Sequence, residues 1–167
     1  MTRVLGGLIV VVALLQAAGC GYATKDLYPP EVRSVAVPIF ENRSFYRGAE
    51  RDLTEALVKQ IELRTPYKVV GRGGAETVIE GVIVEVRQDQ LSRRRPGGLP
   101  QEMQVAMVVD FEWKNLRTGH VVRERRGLTA VGRYVPTRPL GEPYEVAQHQ
   151  AAEAMADAIV NTMRADW

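Results

Sequence analysis

Apolar residues recur along the chain with two periods, two and about four. From Ser34 to Phe40 the pattern alternates, Val35, Val37 and Ile39 on one side and Ala36 and Pro38 on the other. This predicts a half-buried strand that Pro38 pushes toward a sheet edge or toward its own end. Asn42–Gly48 is a polar loop. Glu50–Arg64 then takes helical spacing, with Leu53, Leu57 and Ile61 four apart and Ala56 and Leu63 beside them. Glu50, Asp52 and Glu55 place negative charge in the early turns, where the helix dipole favours it. Pro66 ends the helix and disfavours a helical Thr65. Tyr67–Val70 is a short extended piece and Gly71–Gly74 a turn or bulge. Thr77–Gln88 reads as a long strand, with Val78, Val82, Val84 and Val86 on one side and Ile79 and Ile83 on the other. Apolar residues on both sides of its start predict a central strand covered on both faces, or a partner on the second face.

Asp89–Gln101 breaks the alternation with Arg93-Arg94-Arg95-Pro96-Gly97-Gly98 and is expected to be a mobile loop. Met103–Trp113 restores it: Met103, Val105, Met107, Val109, Phe111 and Trp113 share one face, opposite Gln104, Asp110, Glu112 and Lys114. Asn115–Gly119 is a hairpin loop, and Val121–Tyr134 returns as the partner strand. After a loop at Pro136–Pro143, Tyr144–Arg164 is a second helix. Pro143 suits its first turn. Ala147, Ala151, Met155 and Ile159 form its stripe, with Ala154, Ala158 and Thr162 adjoining. The many alanines favour helix and close packing. The order β-α-β-β-β-α predicts an α+β fold: a two-layer sandwich of two helices on one face of a mixed four-stranded sheet, the other face partly open.

Composition narrows the function more than the fold. The 167 residues suit one domain, and 22 Lys and Arg against 20 Asp and Glu leave a net charge of +2. That is too little surplus for a general nucleic-acid binder. One cysteine excludes a disulfide framework within the chain, and two histidines offer little for metal chemistry. No cofactor motif is present: Gly71-Arg72-Gly73-Gly74 lacks the strand-then-helix context of a phosphate cradle.

The one cysteine carries a compartment signal. Arg3 precedes an apolar run from Val4 to Ala18, broken only by Gln16 and closed by Gly19 and Cys20. The run is shorter than the roughly 20 apolar residues of a bilayer-spanning helix. It reads as a secretory signal over residues 1–19, the alternative being a helix retained as an anchor. Ala17-Ala18-Gly19-Cys20 resembles the lipobox of bacterial lipoproteins, although Ala17 stands where leucine is usual. The resemblance implies cleavage before Cys20 and acylation of its thiol and new amino terminus; the alternative is an ordinary signal that leaves a stray thiol. Gly21, rather than Asp, after the cysteine implies the outer membrane by the same resemblance. Residues 20–31 would then be the lipidated terminus and its tether, stiffened by Pro29 and Pro30, and residues 32–167 a single domain.

A second resemblance covers the whole chain. Ser34-Val35-Ala36-Val37-Pro38-Ile39-Phe40-Glu41-Asn42-Arg43-Ser44, then Gly48–Leu57, Arg64-Thr65-Pro66, Ala75–Gly81 and Cys20-Gly21-Tyr22 resemble the lipopolysaccharide-assembly lipoprotein (LptE) family. The family implies a non-enzymatic protein at the periplasmic face of the outer membrane, held there by N-terminal acyl chains. It plugs and helps assemble the β-barrel of the lipopolysaccharide translocon (an LptD-like partner) and binds lipopolysaccharide.

Charge along the chain suggests where lipopolysaccharide would be held. Between Arg87 and Arg138 there are eleven Lys or Arg against five acids. Guanidinium groups pair with phosphates of the kind lipid A carries. Arg93, Arg94 and Arg95 are the first candidates for that contact and Arg123, Arg125 and Arg126 the second, the competing reading being solvated arginines or a pairing of Arg125 with a neighbouring strand's acid. Two other classes stay open: an envelope lipoprotein that regulates a cell-wall synthase or binds glycan, and a lipid-anchored hydrolase using Glu76, Glu80 or the histidines His120 and His149.

Overall fold

A computed structural model describes residues 28–93, 100–135 and 143–164. The elements are β1 (Ser34–Ala36), β2 (Glu41–Asn42), α1 (Ala49–Arg64), β3 (Lys68–Val69), a 3-10 turn (Arg72–Gly74), β4 (Thr77–Arg93), β5 (Pro100–Asn115), β6 (Val121–Tyr134) and α2 (Tyr144–Thr162). The fold is α+β with a mixed sheet, as the alternation predicts, but the sheet has six strands rather than four. Its order is β3-β1-β4-β5-β6, and β2 also pairs with β4. β1, β2 and β3 run parallel to their neighbours, while β4, β5 and β6 form an antiparallel meander.

The extra strands come from Pro38 and from Tyr67–Val70. Proline has no N–H for the ladder, so the strand expected over Ser34–Phe40 stops at Ala36 as β1, and pairing resumes beyond it as β2, whose Asn42 was expected to open a polar loop; both run parallel to β4. The alternation fails across the break: Val35, Ala36 and Phe40 are buried, while Ile39 is 65% exposed. The short piece after α1 becomes β3, parallel to β1.

Helix α1 ends where the sequence requires. Thr65 is extended (φ −122°, ψ 158°) ahead of Pro66, and its N–H and hydroxyl both donate to the Ile61 carbonyl. Leu53, Leu57 and Ile61 are fully buried, each stabilising the fold by about 1.5–3 kcal/mol, whereas Leu63 points outward at 70% exposure. In α2 the stripe Ala147-Ala151-Met155-Ile159 is buried, but its flank is Ala152, Ala156 and Val160 rather than Ala154, Ala158 and Thr162. The two helices lie parallel. Gln148 donates to Asp52 at 2.8 Å near both N-termini, and near the C-termini Arg64 pairs with Asp157 and donates to Asn161 at 2.8 Å.

Strand β5 carries the core face read from the sequence: Val105, Met107, Val109, Phe111 and Trp113 are all buried. Strand β4 departs from simple alternation. Ile83 faces Val109 but Glu85 faces Val108, so Val84 is an extra residue in a bulge. The bulge reverses the parity. Ile79 and Ile83 point to the core before it, and Val86 points there after it, so Val86 does not share a side with Val82. The β4–β5 ladder also runs past Asp89, pairing Arg93 with Pro100. The break expected at Asp89 therefore comes later, because backbone pairing does not depend on the polar side chains of this stretch. A second irregularity sets Arg126 and Gly127 opposite Asp110; Gly127 has φ +65° and donates its N–H to Asp110 Oδ1 at 2.7 Å.

Candidate functional site

The helices cover one face of the sheet. On the other, β2, β4, β5 and β6 bring charged residues into rows. The ladder sets Glu80 opposite Glu112 and Glu112 opposite Glu124, three carboxylates abreast. Like charges directly across strands repel, so each needs a cation. Lys114 Nζ lies 2.6 Å from Glu80 and 2.8 Å from Glu112, Arg72 also pairs with Glu80, and Arg126 reaches Glu124 at 2.8 Å. The hydrogen bond from Lys114, reinforced by Arg72, holds the Glu80 carboxyl below its usual value near 4.5. Between these rows lies an open groove of about 480 Å³, with Pro38, Ile39, Val82 and Phe111 among its apolar lining and Arg125 and Arg126 among its charged lining.

Because the folded-state value of Glu80 is depressed, its ion pairs contribute stability above the unfolded carboxyl range, and that contribution is lost as pH falls through the folded value. Glu80→Gln should therefore lower stability by about 0.5–1 kcal/mol at pH 7. The difference from the parent should shrink as pH falls below the usual carboxylate value of 4.5. Denaturant melts across pH 2–7 check this, and a constant difference would mean that the pairs do not set it.

Arg93 of the first candidate group and Arg123 of the second are not brought together. Arg93 ends β4 with its backbone opposite Pro100, while Arg123 stands opposite Trp113. Thirteen positions along β5 separate those registers, about 43 Å of strand. Arg94, Arg95 and Cys20 lie outside the described residues. The second group also divides. Arg123 donates to the Arg164 carbonyl at 3.4 Å, a cation at the C-terminal end of α2, where the helix dipole favours it. Arg125 donates to the Glu124 carbonyl at 3.0 Å, and Arg126 is bound to the Glu124 carboxylate. Several other cations of the basic stretch hold acids, among them Arg87 with Glu85 and Asp89. Most of these acids stand two residues from their cation on the same strand, and the sheet adds Glu80, which it brings to Lys114 from the neighbouring strand.

The residues considered for hydrolysis have separate partners. Glu76 accepts the Arg33 N–H at 2.7 Å, whereas Glu80 is engaged by Lys114 and Arg72. His149 lies 3.7 Å from Glu153, and His120 sits in the β5–β6 turn. Among the described residues no group of His, Cys, Asp or Glu is placed to hold a metal ion. Among them, too, no helix is long and apolar enough to cross a membrane.

The most ordered polar feature is one the sequence offered only as a polar loop. Asn42 Oδ1 accepts from the Ser44 N–H at 2.9 Å and the Ser44 hydroxyl at 2.7 Å. Its Nδ2 donates to the Tyr46 carbonyl at 2.8 Å and to Glu50 at 2.7 Å. Gly48 completes the turn into α1 with φ +89°, and Tyr46 stacks on Tyr144 at 5.2 Å. The signal was present as an Asn two residues before a Ser, with Gly and Glu following, a side-chain-capped turn leading into a helix.

Two parallel helices on a six-stranded mixed sheet with a long meander define a small α+β domain of a kind found in several bacterial lipoproteins. Lipoprotein B of Nitrosomonas europaea superposes with a TM-score of 0.53 and 16% identity, over 85% of this chain and 89% of that one. A minor lipoprotein of Acinetobacter baumannii gives 0.52 and 16%, over 81% and 99%. The PelC dodecamer of Paraburkholderia phytofirmans gives 0.50 and 17%, over 83% and 93%. At these identities the likeness is one of fold. The sequence itself goes further: the family model for LptE, lipopolysaccharide-assembly, matches residues 32–163, and the chain belongs to that family. Among curated proteins no sequence match was found.

Proposed function

We propose that this protein is an acylated lipoprotein of the outer membrane that plugs, and helps assemble, the lumen of a lipopolysaccharide-translocon β-barrel. The observation that carries the reading is the family match across the folded body, residues 32–163. In this reading residues 1–19 are the signal, 20–31 the lipidated terminus and tether, and 32–167 the plug. A plug has to keep its shape, and the body supplies that through its buried core and ion-paired open face. Acylation at Cys20 would hold the domain beside the barrel's periplasmic mouth and raise its effective concentration there. Isolating the full-length acylated protein from detergent-solubilised membranes tests the proposal. A heat-modifiable barrel protein should accompany it. A cell-wall synthase in its place would favour the regulatory reading, and a free monomer would remove the plug.

Lipopolysaccharide binding is the finer part of the proposal. Arg93, Arg94 and Arg95 lead this reading over Arg123, Arg125 and Arg126, Arg93 being the last residue of β4. Replacing all three by alanine should weaken binding to phosphorylated lipid A several-fold at low ionic strength and less at high salt, because exposed charges are screened. Equal affinity of parent and variant at low salt would return these arginines to the solvated surface.

A further inference from the structure

We infer that the loop Arg43–Arg47, tipped by Phe45, is a rigid finger that seats in an apolar socket rimmed by carboxylates on the wall of the barrel partner. The inference rests on the plug reading above and assigns one contact within it. Phe45 is fully exposed. A single exposed aromatic calls for no explanation, but this one has company. Ile39, 65% exposed, precedes β2, and Val84, 43% exposed, follows the residue that pairs with Asn42 of β2. Three exposed apolar residues thus flank one two-residue edge strand in chain or in register. Arg43, Arg47 and Arg51 on the same stretch are exposed as well.

The loop is preformed. The four hydrogen bonds of the Asn42 side chain, the stacking of Tyr46 on Tyr144 and the Arg43 N–H donated to the Ile83 carbonyl at 3.0 Å hold its backbone. Phe45 is therefore presented without the ordering entropy that a flexible loop loses on binding. A fixed aromatic of this kind suits a shaped protein pocket, since a fluid lipid surface asks for no such rigidity. Arg43 is held by Glu41 at 2.9 Å, so the guanidinium groups of Arg47 and Arg51 are the ones complementary to carboxylates around that pocket.

The tether points the same way. Tyr28 packs edge-on against Tyr67 at 5.8 Å, and the Tyr67 hydroxyl donates to the Pro29 carbonyl at 3.2 Å. The chain therefore joins the body just beyond the C-terminus of α1. The Phe45 loop lies before its N-terminus, and the 16 residues between span about 24 Å. The finger is thus at the end of α1 remote from Tyr28 and Pro29.

The experiment uses the acylated full-length protein in its native membranes, with a benzophenone amino acid in place of Phe45 and, as a control, in place of the exposed Leu63. The probe at 45 should cross-link to the heat-modifiable barrel at least roughly tenfold more than the probe at 63. Phe45→Ala and Arg47→Glu should each cut recovery of the barrel roughly tenfold with unchanged melting, while Leu63→Ala should not. If the parent brings down the barrel but the probe at 45 stays silent and Phe45→Ala recovers it fully, the finger is refuted and the plug survives. Phe45-dependent binding to phosphatidylglycerol vesicles, with no barrel product, would make the loop a lipid contact and also overturn the inference. Absence of any barrel from the parent preparation defeats both proposals.

Discussion

Gly132→Ala should be among the most damaging single-methyl changes in this protein. Gly132 sits in β6 opposite Val105, beneath α2. A Cβ there would collide with the Ala147 carbonyl oxygen and come within 2.8 Å of the Ala151 nitrogen and 2.9 Å of the Ala147 carbonyl carbon. All three atoms belong to the helix backbone, so no side chain can swing aside. The helix would have to lift from the sheet, opening voids around Met155 and Ile159, which are fully buried. Overpacking ordinarily costs about 1–3 kcal/mol. With a rigid helix as the obstacle, about 4 kcal/mol or more is expected, a large part of the stability of a small domain. Urea melts of the parent, Gly132→Ala and Gly73→Ala measure this. Gly73 has open space around it and should move the midpoint little. Near-equal midpoints for Gly132→Ala and the parent would mean that α2 rides on β6 less tightly than the geometry requires.

Cys20→Ala should have the largest effect on location. Each methylene of an acyl chain buried in the bilayer contributes about 0.8 kcal/mol, and two or three chains together make a stable anchor. In the proposed lipoprotein the thiol is an acceptor for them, and cleavage before Cys20 would free the other, so the substitution would remove both. The variant should leave the outer-membrane fraction, recovered soluble in the periplasm or held elsewhere with its leader uncut, and should take up no labelled palmitate. Its folded body should melt as the parent does, because position 20 lies ahead of the family-matched residues 32–163. A variant that still sediments with outer membrane would show that something other than lipid holds the protein there.

Both predictions concern features with unequal visibility in the sequence. The helix over Gly132 could not be foreseen from Val121–Tyr134, where a glycine in a strand signals only close approach or a bulge. The alanine stripe of α2 implied that something would come near its backbone, without saying what. The β5 core face was plain, because six apolar residues at strict alternation have one way to be buried together. The β4 faces were not, because a single bulged residue at Val84 exchanges the two sides and leaves no mark in local composition.

The candidate site shows the same division. The surplus of arginine between residues 87 and 138 is a property of the string of residues, and it pointed to phosphate. The sheet then brought Glu80 to Lys114, which also holds Glu112 of its own strand, and carried Arg123 to the end of α2, while Arg126 took Glu124 two residues before it. The sheet also placed Arg93 and Arg123 beside opposite ends of β5. Asn42 read as one more polar residue, although the partners of its side chain, Ser44, Tyr46 and Glu50, all lie within eight positions of it.

Periodicity, proline positions and family motifs, which depend only on near neighbours along the chain, were enough to determine the fold class, the helix limits, the meander and the family. Strand count, the parity of β4, the pairings of Lys114 with Glu80 and of Arg64 with Asp157, and the exposure of Phe45 depend on which distant segments meet. Long-range register decided them, because a Coulomb or packing energy is set by distance in space, and sequence separation does not report it.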